Sequence, residues 1–183
     1  MIGTKRLAAL AFTVALLYLC QGPAHPATAG KAPAMTAIVN TVTINGGPRA
    51  VFDLVTTARL WPRWHPASRA VGGVTERPYA RGDLIHETGR VGEMDFTTTW
   101  RVVEHVRPSR VVLQSQTAPA RITYTFVAGK GTVTFTRKLE YANENFPSVK
   151  EVERIMRQQS EQALTQLKAL IEEILDNEAK PLG

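Results

Sequence analysis

A single cysteine, Cys20, stands in 183 residues. One thiol excludes a disulfide framework, a thiolate zinc cluster and an iron–sulfur site built from this chain alone. No run of five or more Lys/Arg occurs, so the compact basic patch that grips a nucleic-acid backbone is missing. There is no HExxH pair, no GxSxG elbow, no Walker loop and no GxGxxG after a strand. These absences remove the usual signatures of zinc hydrolysis, serine acyl transfer and nucleotide binding. The reading therefore includes no metal, no cofactor and no nucleic-acid partner. Against these absences, 44% of the residues are apolar and 21% charged, enough to bury one core in a chain of one-domain length. The net charge of +6 permits an anionic surface partner without requiring one.

The N-terminus reads as an address. Lys5 and Arg6 precede an uncharged run from Leu7 to Cys20, which is 14 residues. That is shorter than the roughly 20 residues needed to span a bilayer and suits the core of a signal peptide. Gly22-Pro23 breaks the run, and Ala27-Thr28-Ala29 supplies the small-x-small pattern of a signal-peptidase site. Cleavage is expected after Ala29, with export by a Sec-type route to the periplasm or beyond; retention as an uncleaved anchor is the alternative. Lipidation at Cys20 is disfavoured because Leu19 and Tyr18, not small residues, precede it. The expected division is a signal peptide over 1–29, a flexible leader over 30–36, one domain over 37–177 and a tail over 178–183.

Within the domain, Ala37 to Ile44 alternates as a strand does. Asn45-Gly46-Gly47-Pro48 stops it and opens a helix in which Val51, Leu54, Val55 and Ala58 recur at helical spacing. Trp61-Pro62-Arg63-Trp64-His65-Pro66 breaks off a second short piece. Strands are then predicted over 83–89, 94–106, 110–116, 121–127 and 132–141, with a weaker candidate over 68–75. The connections are short and rich in glycine or proline, which implies antiparallel pairing. From Pro147 to Asn177 an apolar stripe repeats at i, i+3, i+4 and i+7, opposite a polar face. About thirty residues of helix at ~1.5 Å each span some 45 Å, enough to cross and cover a sheet.

This α+β order resembles the helix-grip fold of the START-like superfamily, which includes polyketide cyclases/dehydrases, lipid-transport proteins and plant pathogenesis-related allergens. The resemblance is carried by Val42-Thr43-Ile44 leading into Pro48-Arg49-Ala50-Val51-Phe52-Asp53-Leu54-Val55. It continues through Trp61-Pro62-Arg63-Trp64-His65-Pro66, Gly131-Thr132-Val133-Thr134-Phe135 and the terminal helix. It implies a curved antiparallel sheet wrapped around a long C-terminal helix, with a cavity between them for an apolar or amphipathic ligand.

The residues themselves hint at such a cavity. Alternation puts Met94, Phe96, Thr98, Trp100 and Val102 on one face, Ile122, Tyr124 and Phe126 on another, and Val133, Phe135, Arg137, Leu139 and Tyr141 on a third. Apolar faces that carry a few polar anchors suit a pocket, and equally suit a filled core whose polar tips find backbone partners. Arg137 is the sharpest residue. It reads as a clamp for a ligand carboxylate, phosphate or carbonyl, as a structural ion pair, or as a side chain turned to solvent by another register. In the terminal helix, Gln159, Ser160 and Ala163 interrupt the large aliphatics, as a helix passing over a hollow would. The expected ligand-binding set is Trp64, His86, Phe96, Trp100, Tyr124, Phe126, Phe135, Arg137, Tyr141, Gln159 and Ala163.

The leading functional expectation is an exported binding or transport protein for a small hydrophobic or amphipathic molecule, lipid or polyketide-like, free to touch a membrane surface transiently. A cyclase or dehydratase using the same cavity is the alternative, with Arg137, Tyr124, Tyr141 and His86 as its polar candidates. A protein-binding module with no functional cavity is the third.

Overall fold

The computed structural model describes residues 35–142 and 149–180. The expected signal peptide and its cleavage site lie outside the described residues. So does Pro147, the expected opening of the terminal helix.

The first strand, β1 (Met35–Asn45), begins two residues before the expected boundary. Gly46 and Gly47 end it, and Pro48 opens α1 (Pro48–Val55), which buries Val51, Phe52 and Val55. A 3-10 turn over Ala58–Leu60 runs into the single turn α2 (Trp61–Trp64), whose two tryptophans are both buried. Pro62 and Pro66 limit that helix to one turn. Six strands follow: β2 (Ser68–Gly73), β3 (Leu84–Val91), β4 (Met94–Val106), β5 (Arg110–Ser115), β6 (Ala120–Ala128) and β7 (Thr132–Ala142). The weak candidate over 68–75 is thus a true strand. The 30-residue α3 (Val149–Glu178) closes the chain.

The strands form one seven-stranded sheet in the order β1-β7-β6-β5-β4-β3-β2, antiparallel throughout. This is the curved, helix-covered sheet of the helix-grip fold. Side chains alternate across it. On β7, Val133, Phe135, Arg137 and Tyr141 point inward and Thr134, Thr136 and Lys138 outward. A bulge between Val102 and Glu104 resets the alternation of β4. Beyond it, the His105 ring meets Phe52 edge-on at 5.2 Å.

The core occupies one end of the concave face. Phe126 lies 4.9 Å from Phe52 and 5.0 Å from Phe135, ring centre to ring centre. Ile44, Val51, Val55, Leu113 and Val133 surround them, and Leu164, Leu167 and Ile171 of α3 press down from above. Burying each such side chain contributes roughly 1.5–3 kcal/mol. Polar ties fix the helix at this end, where the Asn45 N–H donates to Glu172 Oε1 at 2.7 Å. Lys168 Nζ bridges the same carboxylate and the Thr43 carbonyl, at 2.6 and 2.8 Å.

Candidate functional site

At the other end of the concave face the packing opens into a cavity of about 330 Å³. Its walls come from many elements, so no segment of sequence announces it. Trp61, Trp64 and His65 supply one side from the α2 region, and Glu87 and Val91 come from β3. Met94, Phe96, Thr98 and Trp100 come from β4, Ile122 and Tyr124 from β6, and Arg137, Leu139 and Tyr141 from β7. The β5–β6 loop, with Ser115, Thr117 and Pro119, lines it too, and α3 reaches it through Met156.

Arg137 is buried, with 4% of its surface exposed. Its Nη1 donates to Ser160 Oγ at 3.3 Å, and Ser160 Oγ donates in turn to Asn40 Oδ1 at 2.6 Å. Asn40 is the direct strand partner of Arg137 across the β1–β7 pair. This chain orients the guanidinium, which among the described residues makes no ion pair and whose Nε has no acceptor; the Glu87 carboxyl acts on it only across the cavity. A buried cation without a direct ion pair is costly by several kcal/mol. Such a group is suited to a ligand that brings the anion.

Glu87 is the second buried charge-bearing group, 7% exposed. Trp100 Nε1 donates to its Oε2 at 2.8 Å. Burial pushes its carboxyl above the usual range, against the opposing pull of the Trp100 hydrogen bond, the Ser68 hydroxyl and the Arg137 charge. Burial likewise pushes the Tyr124 hydroxyl up to about 12, with the Arg137 charge opposing. His65 is held well below the ordinary imidazole range, by burial first and by the Arg137 charge second. Its Nδ1 accepts the Ala67 N–H at 3.3 Å, so the neutral ring carries its proton on Nε2, which is buried without a partner. At neutral pH the cavity thus holds a fixed cation, a carboxyl shifted toward its neutral form, a neutral imidazole and a neutral phenol.

The rim is braced by hydroxyls. Thr98 Oγ1 lies 3.1 Å from Ser115 Oγ and 2.9 Å from Thr117 Oγ1. Ser115 Oγ also accepts the N–H groups of Thr117 and Ala118 at 3.2 and 3.1 Å, which holds the β5–β6 loop against the cavity. Gly89, opposite Phe96 in the β3–β4 register, lets that ring lie across β3. A Cβ there would strike the Ala67 carbonyl oxygen and come within 2.5 Å of the ring.

Of the residues expected from sequence, Trp64, Phe96, Trp100, Tyr124, Arg137 and Tyr141 are brought together around the cavity. The others are placed elsewhere. His86 is exposed on the outer face, bonded to Thr99 Oγ1 at 2.9 Å, because the inward face of β3 is Ile85, Glu87 and Gly89. Phe126 and Phe135 belong to the filled core, where Phe126 packs on Phe52 and on Phe135. Ala163 is fully buried in that same core. Gln159 faces a separate, shallower polar hollow beside Arg69 and Arg90, its Nε2 donating to the Arg90 carbonyl at 3.3 Å. The small and polar residues of α3 do not mark a hollow beneath the helix. Ala163 admits the close packing of the core, and Ser160 is polar because it meets Arg137. Glu87, Asn40, Ser115 and Thr117 are not among the residues expected from sequence, whereas Thr98 falls on the expected inner face of β4. Glu87 had one available signal, its place two residues from inward Ile85 and opposite Thr98.

A curved antiparallel sheet covered by a long C-terminal helix, with a cavity on its concave face, defines a START-like helix-grip protein. The family follows from sequence. Residues 35–172 match the family model described as polyketide cyclase / dehydrase and lipid transport, and the chain belongs to that family. No curated protein matches the sequence. The Zhui aromatase/cyclase of Streptomyces sp. R1128 is 12% identical with a TM-score of 0.67, over 81% of this chain and 100% of its own. A START superfamily protein from Mycobacterium smegmatis is 12% identical with a TM-score of 0.61, over 75% of this chain and 98% of its own. A protein from Thermus thermophilus, TTHA0849, is 11% identical with a TM-score of 0.65, over 76% of this chain and 99% of its own. At these identities the likeness is one of fold.

Proposed function

We propose that the chain is an exported carrier for one small amphipathic molecule, held in the cavity by apolar burial and oriented by Arg137. The observation that supports this most is the buried guanidinium facing a mainly apolar cavity and making no ion pair among the described residues. Structural arginines are normally held in a direct ion pair; this one is oriented by the neutral Ser160 hydroxyl instead. Apolar contact supplies about 25 cal/mol per Å² before ordering and association costs are subtracted. The N-terminal address supports export, and a mature protein beginning at Gly30 is the expected product. The partner-module reading draws no support from a cavity of this size.

Native mass spectrometry of the protein purified from its host's cell envelope tests the proposal. A mature mass starting at Gly30 together with a bound small molecule, lost in Arg137→Gln, is the expected result. An apo mass that is unchanged after incubation with a lipid extract would overturn the carrier reading.

A second reading rests on Glu87. A carboxyl shifted toward neutrality, in one cavity with Arg137 and Tyr124, could supply a proton to a carbonyl polarised by the guanidinium. A cyclase or dehydratase of this kind would turn over a bound polyketone, with turnover lost in Glu87→Gln while binding is retained.

A further inference from the structure

Two ionisable side chains face the same cavity without meeting. Arg137 enters from β7 and Glu87 from β3, strands separated by three others in the sheet. No ion pair joins them; Trp100 holds Glu87 and Ser160 holds Arg137. The other titratable groups facing this space are His65 beyond α2, Tyr124 and Tyr141 on β6 and β7, and Asp95 at the rim of β4. Asp95 is engaged by Arg90 at 2.7 Å and exposed, so its charge is screened and committed outside. The cavity is also small. Ligand cavities run from about 300 to 1,000 Å³, and 330 Å³ lies at the small end of that range. A single short chain with one polar head suits such a space.

We propose that Arg137 and Glu87 together form an acid site for one compact monocarboxylic acid, whose carboxylate is held by the Arg137 guanidinium while Glu87 takes up a proton from solvent. The proposal rests on the carrier reading and names its ligand class. An anion arriving beside Arg137 cancels the one charge that favours ionised Glu87 and adds a like charge to the same low-dielectric space. Two carboxylates in such a space do not both stay ionised. Glu87 is the one that protonates, because the ligand has the guanidinium and Glu87 has only neutral donors, Trp100 first among them. Once protonated, Glu87 is itself a donor. The site then favours an acid over an alcohol of equal length and disfavours an amine. Binding tightens as pH falls through the interval in which unliganded Glu87 is ionised and liganded Glu87 is not.

The test is isothermal titration calorimetry on the delipidated protein with decanoic acid, in buffers of differing ionisation enthalpy, between about pH 5 and 9. Decan-1-ol serves as the neutral ligand of matched length. The expected result is proton uptake that peaks within that interval and vanishes in Glu87→Gln. The acid should be favoured over the alcohol by about tenfold or more, a preference lost in Arg137→Gln. No uptake at any pH, or uptake that persists in Glu87→Gln and so belongs to His65 or the ligand, would overturn the acid site. Equal binding of alcohol and acid would also overturn it and leave the carrier reading standing. If neither ligand binds and none copurifies, the carrier reading fails and the acid site with it. Should a variant not fold, the proton count and the alcohol comparison on the unaltered protein still decide.

Discussion

The two ends of one sheet are built to opposite purposes. The same strands run through both: β7 contributes Phe135 to one end and Arg137 to the other, and β6 contributes Phe126 and then Tyr124. At the filled end α1 presses Phe52 onto Phe126, which packs on Phe135, and α3 contributes Leu164, Leu167 and Ile171. At the hollow end α2 is a single turn that proline cannot let continue, and α3 reaches the space only through Met156. Stability resides where three layers interlock. Room for a ligand exists where the covering elements are short or stand off. The two buried charge-bearing side chains, Arg137 and Glu87, are both at the hollow end.

Substitutions at matched depth in the two ends sharpen this contrast. The largest effect is expected from Phe135→Ala, which removes a fully buried ring and should cost about 3–5 kcal/mol in urea or guanidinium unfolding. A loss under about 1 kcal/mol would mean that the filled end is not tightly packed. Next comes Arg137→Met. Removing a buried charge that has no direct ion pair should leave stability equal or higher, while ligand affinity falls by about 1.5–3 kcal/mol, read by calorimetry. A variant that loses stability while binding its ligand as tightly as before would reverse the assignment of Arg137 from ligand anchor to structural element.

A paired enlargement asks the same question with smaller steps. Ala163→Leu, in the solid core, should cost about 1–3 kcal/mol by overpacking. Ala120→Leu, on the cavity wall, should change stability by less than about 0.5 kcal/mol and should weaken ligand binding. Similar stability costs at the two sites would erase the distinction between filled and hollow ends.

The smallest effect is a slope with pH. The folded-state carboxyl of Glu87 lies above its unfolded value, so the folded protein binds more protons than the unfolded chain just above the ordinary carboxylate range. Folding is therefore favoured at low pH and is progressively penalised as pH rises through that window. Glu87→Gln should match the parent protein near pH 4 and exceed it increasingly above that, in thermal melts. His65 acts in the opposite direction. Its ring is held neutral in the fold, so stability falls as pH drops below the ordinary histidine value, and His65→Gln should flatten that limb. Parallel pH profiles for the parent and both variants would show that neither group titrates as its burial requires.

Much of the fold was legible because its determinants are local and periodic. The β4 and α3 patterns run long enough for their periods to be unambiguous, Gly46 and Pro48 mark the passage from β1 to α1, and Gly131 marks the β6–β7 turn. The site was legible only where alternation was clean. Arg137 between Phe135 and Leu139 could be placed on the inner face from β7 alone. On β3 neither face is uniformly apolar, so His86 and the inward Glu87 could not be ranked, and only pairing with Trp100 and Thr98 orients them. Ser160 and Ala163 signalled a departure from the apolar stripe, but what they meet is set by the position of α3 over β1.

Sequence alone determined the order of elements, their periods and the presence of one arginine on an apolar face. These depend on residues within a few positions of one another. Tertiary structure decided which end of the sheet is filled and which is hollow. It also decided that Arg137 finds Asn40 and Ser160 in place of a carboxylate, and that Glu87 shares its cavity. Those outcomes depend on where α2 stops and where α3 crosses, and they join side chains separated by tens of residues whose contacts no local pattern encodes.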